Sequence, residues 1–277
     1  MPGSLKRDMT VAKLASTSSR RRWPTQFLLG FIPFTLVAAI WTFLVHGVRV
    51  SPVFLPPLEV MPRAIWRMFA VEGVGKDVGV SIYRVVCGFI LAAMIATPVG
   101  MLMGYSRWTS RLLDPIMGFI RYMPVPVFIP LTILWFQSGD MQKMVVIFLG
   151  AFFQLVLMIE DAARAVPKDY YEAAIMRGAP RRHLFHRILW PAALPQIFDS
   201  YRICMGWAWT YLVVAEIVGA NTGVGYYIIK AQRYLMIPQI FAAMVLIGVL
   251  GMLTDLLFAR MHDRFFPWAE RNSLGNN

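Results

Sequence analysis

The stretch Asp169–Pro191, DYYEAAIMRGAPRRHLFHRILWP, gathers acids, bases and turn formers between two apolar segments long enough to cross a membrane. Asp169 followed three residues later by Glu172 has the spacing of a capping box. The Asp169 carboxylate accepts from a backbone N–H of the first turn, and Glu172 reaches back to the cap. This predicts a short helix over 170–177, ended by Gly178 in the left-handed conformation. Pro180 suits the first position of a second short helix. Arg181, Arg182, His183, His186 and Arg187 make that helix basic, and Pro191 is expected to end it. Two short polar helices set at an angle are suited to docking on a partner in water, not to breaking a bond. His183 and His186 could share a metal on one helix face. No third ligand stands near them, and solvated histidines on a basic helix are the simpler reading.

Further charges lie inside the apolar segments. A charge at mid-membrane costs several kcal/mol, although long side chains reach back to the interface. Arg84, Arg121 and Arg202 can each be a snorkelling or ion-paired group, or can attract an anionic solute. Arg84 is best placed for attraction. Glu216 is a buried helix–helix hydrogen bond or a pathway group. Pro124, Pro126 and Pro130 free backbone carbonyls within one apolar run, which gives either a kinked helix beside a translocation path or a packing distortion. Gln154 and Thr210 are candidate polar groups of the same path. Gly73-Val74-Gly75-Lys76 lacks phosphate-loop spacing because Asp77 follows the lysine, so no ATP site is assigned. Cys87 and Cys204 read as small buried apolar residues. No nucleophile–base pair is evident, and no catalytic residue, metal or cofactor is assigned to this chain.

The elements that position these residues follow from composition. Of 277 residues, 58% are hydrophobic and only 15% charged, which excludes an ordinary soluble domain. The fold class is an all-α integral membrane protein. Six spans are expected at about 27–46, 80–104, 116–136, 142–160, 196–218 and 237–259. The first follows Arg20-Arg21-Arg22 and is too long for a signal-peptide core, so it reads as uncleaved. A short amphipathic helix is expected from about Glu59, and Gly100-x-x-x-Gly104 permits close helix approach. With the N-terminus in the cytoplasm, inner segments hold 17 of the 27 Lys and Arg and outer segments hold 7. That bias puts both termini inside. The net charge of +12 then reflects cytoplasmic loops and not nucleic-acid binding. The layout is a tail at 1–26, a membrane domain at 27–268 enclosing the loop 161–195, and a tail at 269–277.

Glu172-Ala173-Ala174, then Gly178, then Ile188 and Pro191, resembles the EAA loop of ABC importer permeases. Trp190 stands where that family usually has Leu. Phe54-Leu55-Pro56, the run from Ile120 to Phe136, Ala215–Ala220 with Gly223–Tyr226, and Pro267-Trp268 extend the likeness. They resemble the subfamily importing taurine, alkanesulfonates, nitrate and bicarbonate. The resemblance covers roughly residues 50–268. It implies a type I importer permease fold in the bacterial inner membrane, working by alternating access. It further implies a second permease copy, as a homodimer, and two cytoplasmic ATPases that carry the ATP and Mg. A periplasmic or lipid-anchored binding protein would deliver substrate. On this likeness Asp169, Glu172, Ala173, Ala174, Gly178, Arg181, Arg182, Ile188 and Pro191 form the ATPase-coupling element. Arg84, Pro124, Pro126, Gln154, Thr210 and Glu216 are pathway candidates. A sulfonate-like anion is favoured, nitrate or bicarbonate next, and a neutral pyrimidine precursor is the alternative.

Rival classes need other features. A channel or secondary transporter has no use for a capped basic helix pair on the cytoplasmic side, and the latter more often buries acids at mid-membrane. A membrane enzyme would need facing acid–base or metal groups.

Overall fold

The computed structural model describes residues 23–180 and 183–268. Most of the expected tail at 1–26, the tail at 269–277, and Arg181 and Arg182 lie outside the described residues. The described residues are helical, without strands. They divide into two compact units, one up to Val60 and one from Met61.

In the first unit, α1 (Trp23–Thr42) runs into a π-turn at Phe43–Gly47, together covering the expected first span. Its side chains from Phe31 onward are mostly apolar and exposed, a surface suited to hydrocarbon. Trp41 Nε1 donates to the Pro56 carbonyl at 2.9 Å.

The second unit opens with the amphipathic α2 (Met61–Ala70), close to its expected start, burying Ala64 and Met68. Three helices are each long and apolar enough to cross a membrane: α3 (Gly75–Tyr105), α6 (Asp140–Arg164) and α10 (Ile237–Phe265). Small residues bring α3 and α6 together, as in lipid, where helices associate by close packing. A Cβ on Gly100 would lie 2.6 Å from the Val156 carbonyl, and one on Gly104 would strike Ala163. The G-x-x-x-G pair therefore acts as a packing device. Ala92, Ala96, Ala151, Leu155, Ala208 and Leu212 belong to the buried core that these helices share with the long helix that follows the loop.

Two expected spans take a different form. The third, at 116–136, is not one kinked helix. Ser106 caps α4 (Arg107–Arg121), its Oγ accepting from the Thr109 N–H at 3.3 Å. A 3-10 turn at Val125–Phe128 and α5 (Ile129–Phe136) follow, with an 89° bend between the two halves. Pro124 disfavours helical backbone at Met123 and itself takes ψ 123, so the helix stops instead of bending. The fifth, expected at 196–218, begins earlier. A π-turn at Leu184–Leu189 passes directly into α8 (Trp190–Gly219), which bends by 48° into α9 (Val224–Arg233). Pro191 therefore does not end the second loop helix; it sits in the first turn of α8. The Trp190 N–H bonds back five residues to the Phe185 carbonyl, and the widened π-turn relieves the clash a proline ring makes in a regular helix.

Candidate functional site

Among the described residues, the loop after α6 carries the short helix α7 (Lys168–Met176), which has no buried residue. It starts two residues earlier than its acids imply. Pro167 occupies the N-cap position with ψ 136, and no side chain caps the helix. Asp169 therefore sits in the first turn, where it complements the helix dipole. The expected capping box with Glu172 is not formed; a proline already extended at the cap displaces it. The C-terminal stop is as expected. Gly178 has φ +77. Its N–H donates to the Ile175 carbonyl at 2.9 Å, and the Ala179 N–H to the Ala174 carbonyl at 3.0 Å. That is a complete Schellman closure. Ala173, Ala174, Ile188 and Pro191 line one groove with a cavity of about 1310 Å³, together with Arg187 and Trp268. Residues far apart in the motif thus face a common space. Glu172, Asp169 and the nearby Met176 are exposed.

At the far end of the helices, Arg84 and Glu216 meet each other. Arg84 is 3% exposed. Its Nη1 donates to Glu216 Oε1 at 2.7 Å and to the Thr222 carbonyl at 2.8 Å. Its Nε and Nη2 donate to Asp140 Oδ1 at 2.8 and 2.5 Å, and Nη2 also to Thr222 Oγ1 at 2.9 Å. Glu216 further accepts from Ser81 Oγ at 2.8 Å and from the Gly225 N–H at 2.8 Å. Asp77 accepts from the Gly223 N–H at 2.7 Å. Lys143, fully buried, donates to the Ser138 and Gly219 carbonyls at 2.6 and 2.5 Å. These bonds clasp the Gly219–Gly225 turn between α3 and α6. Every N–H donor of the Arg84 guanidinium is taken within the chain, so of the readings open to it the ion-paired one is formed, and Glu216 forms the buried hydrogen-bonded one. Arg202 is likewise paired, with Asp255.

The remaining pathway candidates separate. Pro124, Pro126 and Gln154 line one cavity of about 290 Å³ at the α4–α5 break, with Arg121, Trp207 and Tyr211. Thr210 is exposed and does not line it. Sequence reasoning missed Asp140, Thr222, Ser81 and Asp77, whose bonds join residues 56 to 146 apart. It also missed Gly150, where a Cβ would strike the Tyr211 ring. The Gly223-Val224-Gly225 run was the available signal for the clasp, since Gly223 has φ +110.

Comparison with known proteins gives the same picture. Residues 96–271 match the family described as the binding-protein-dependent transport system inner membrane component. A protein of Methanocaldococcus jannaschii described as an ABC transporter permease is 33% identical, over 84% of this chain and 89% of its own. A Bacillus subtilis protein described as the aliphatic sulfonates transport permease SsuC is 31% identical, over 89% of each. The taurine transport system permease protein TauC of Escherichia coli is 27% identical, over 92% of this chain and 96% of its own. A solved chain of the inward-facing MetNI methionine ABC transporter superposes with a TM-score of 0.59 at 22% identity, covering 72% of this chain and 97% of that one. With an all-helical fold, a stopped helix on an exposed loop and a family match across most of the second unit, the chain belongs to the binding-protein-dependent transport system inner membrane component family and is the permease of an ABC importer.

Proposed function

We propose that two copies of this chain form the pathway of an ATP-driven importer for a small anionic solute, with a sulfonate such as taurine favoured. Two separate ATPases dock on α7 from the cytoplasm, and both chain termini lie on that side. A binding protein delivers solute to the opposite face. ATP binding draws the ATPases together, α7 moves with them, and the spans exchange inward-open for outward-open. The observation that carries this reading is the loop itself. α7 buries none of its own residues, stops at a positive-φ glycine, and shares a groove with Ile188 and Pro191. An element so built contributes little to the core and is free to be gripped. The names of the sulfonate and taurine relatives support the solute class.

The test is Gly178→Val in the assembled transporter. A β-branched residue resists positive φ, while nothing lies within 4 Å of the added Cβ to clash. The variant should insert in normal amounts, yet lose ATPase pull-down and substrate-stimulated ATP turnover, each normalised to permease. Wild-type values in both assays would remove the docking role.

A further inference from the structure

We infer that the cavity at the α4–α5 break is the solute site within the membrane and that Arg121 is its counter-charge. The inference rests on the anionic-solute reading above and adds the place and the residue.

Arg121 differs from three other arginines of the helix bundle. Arg84, Arg164 and Arg202 each meet a carboxylate. Among the described residues, Arg121 has no ion pair. Its Nη2 donates to Tyr122 Oη at 3.1 Å, and its guanidinium lies 5.0 Å from the centre of that ring. The cavity it lines contains no acidic side chain; its polar side chains include the Gln154 amide and the Tyr211 phenol. Its position matters as much as its chemistry. Gly150 and Gln154 lie near the middle of α6 (Asp140–Arg164), and Trp207 and Tyr211 lie well inside α8. The cavity is therefore level with the middle of the bundle, and Arg121, exposed on this chain, reaches it from the end of α4; an ionisable residue at that depth marks a solute path. The Met123–Pro124 break stops α4 at Arg121 and leaves the side chain at the cavity wall. Gly150 lets the Tyr211 ring pack closely against α6, one helical turn from Gln154. At about 290 Å³ the space is at the small end of ligand pockets. It suits a compact anion with a short apolar or amino-bearing tail against Trp207 and Phe153.

An anionic lipid headgroup shares this chemistry, so the test must separate it from a soluble ion. The permease with its ATPase and binding protein would be placed in nanodiscs, carrying Gln154→Cys together with Cys87→Ala and Cys204→Ala. The probes are the anionic sulfonatoethyl and the cationic trimethylammonioethyl methanethiosulfonates. The introduced thiol should react faster with the anionic reagent, and Arg121→Gln, which removes a nearby unit charge, should reduce that preference by about tenfold. Millimolar taurine should slow the labelling in discs of phosphatidylcholine alone. An unchanged preference in Arg121→Gln, or no labelling by either reagent, would overturn the assignment. So would protection by phosphatidylglycerol with none by taurine, which would assign the cavity to lipid. ATP-driven uptake of taurine by the unmodified complex tests the solute class separately. Its absence beside an intact Arg121-dependent preference would reject taurine and keep the anion site.

Discussion

The Arg84–Glu216 clasp and the α7 loop are both rich in charge, and they use it in opposite ways. In the clasp every ionic group named is partnered, and Arg84, Glu216 and Lys143 are buried. In the loop Asp169, Glu172 and Arg177 stand exposed, beside the exposed apolar Ile175 and Met176. Buried charge is tolerated only when satisfied within the chain, so the clasp fixes the chain's own geometry. Exposed charge beside exposed apolar surface contributes little to stability and is available to another molecule. Charge content alone cannot separate a structural site from a docking site; the separation comes from who satisfies the charge.

Variants can break or sharpen that contrast. The largest effect is expected from Arg84→Ala, which strands Glu216 in the interior. Loss of one partner of a buried pair costs about 3–5 kcal/mol. The amount of folded permease in membranes, and the melting temperature of what can be purified, should both fall sharply. Gly223→Ala should rank next. Its φ is +110 and the added Cβ would strike the Glu216 carboxylate, so melting should drop without any change in charge. On the loop side, Gly178→Ala should lower melting only slightly, its cost of about 1–2 kcal/mol at positive φ being confined to a helix end outside the core. Its ATPase association should weaken less than that of the valine variant. Smallest of all is Glu172→Ala. Because no capping bond is present to lose, stability should stay within about 0.5 kcal/mol, while stimulated ATP turnover falls. A melting loss near the ~1 kcal/mol of a broken cap would restore the capping box and blur the contrast.

The loop was legible because its signals are local. Gly178 closes a helix through bonds to residues three and five positions back, so neighbours in sequence suffice. The G-x-x-x-G contact was legible for the same reason, since one helix face carries it. Pro191 misled because a breaker rule assumes a regular helix, and the preceding π-turn removes that assumption. The capping box misled because Pro167 claimed the cap before Asp169 could. Arg84 was recognised as a charge needing an explanation, but its partners come from α6, α8 and the turn after α8. No pattern within α3 names them. Arg121 reads in the sequence as a charge that snorkels, pairs or attracts an anion, with nothing local to choose among the three. Its lack of an acid partner became visible only once α4, α6 and α8 were assembled around one cavity.

The π-turn has a consequence beyond accommodating a proline. From Leu184 to Gly219 the helix runs unbroken, roughly 50 Å at 1.5 Å per residue. One end carries Ile188 in the loop groove and the other carries Glu216 in the clasp. Such a rod has a phase as well as a length, because each residue added or removed turns everything beyond it by about 100°. A π-turn is in effect an inserted residue absorbed by widening. It therefore sets the angular register between the docking surface and the buried glutamate. Deleting one residue within 184–189 would let the turn relax to a regular α-helix and keep that register, whereas deleting one from the regular part of α8 would turn Glu216 away from Arg84.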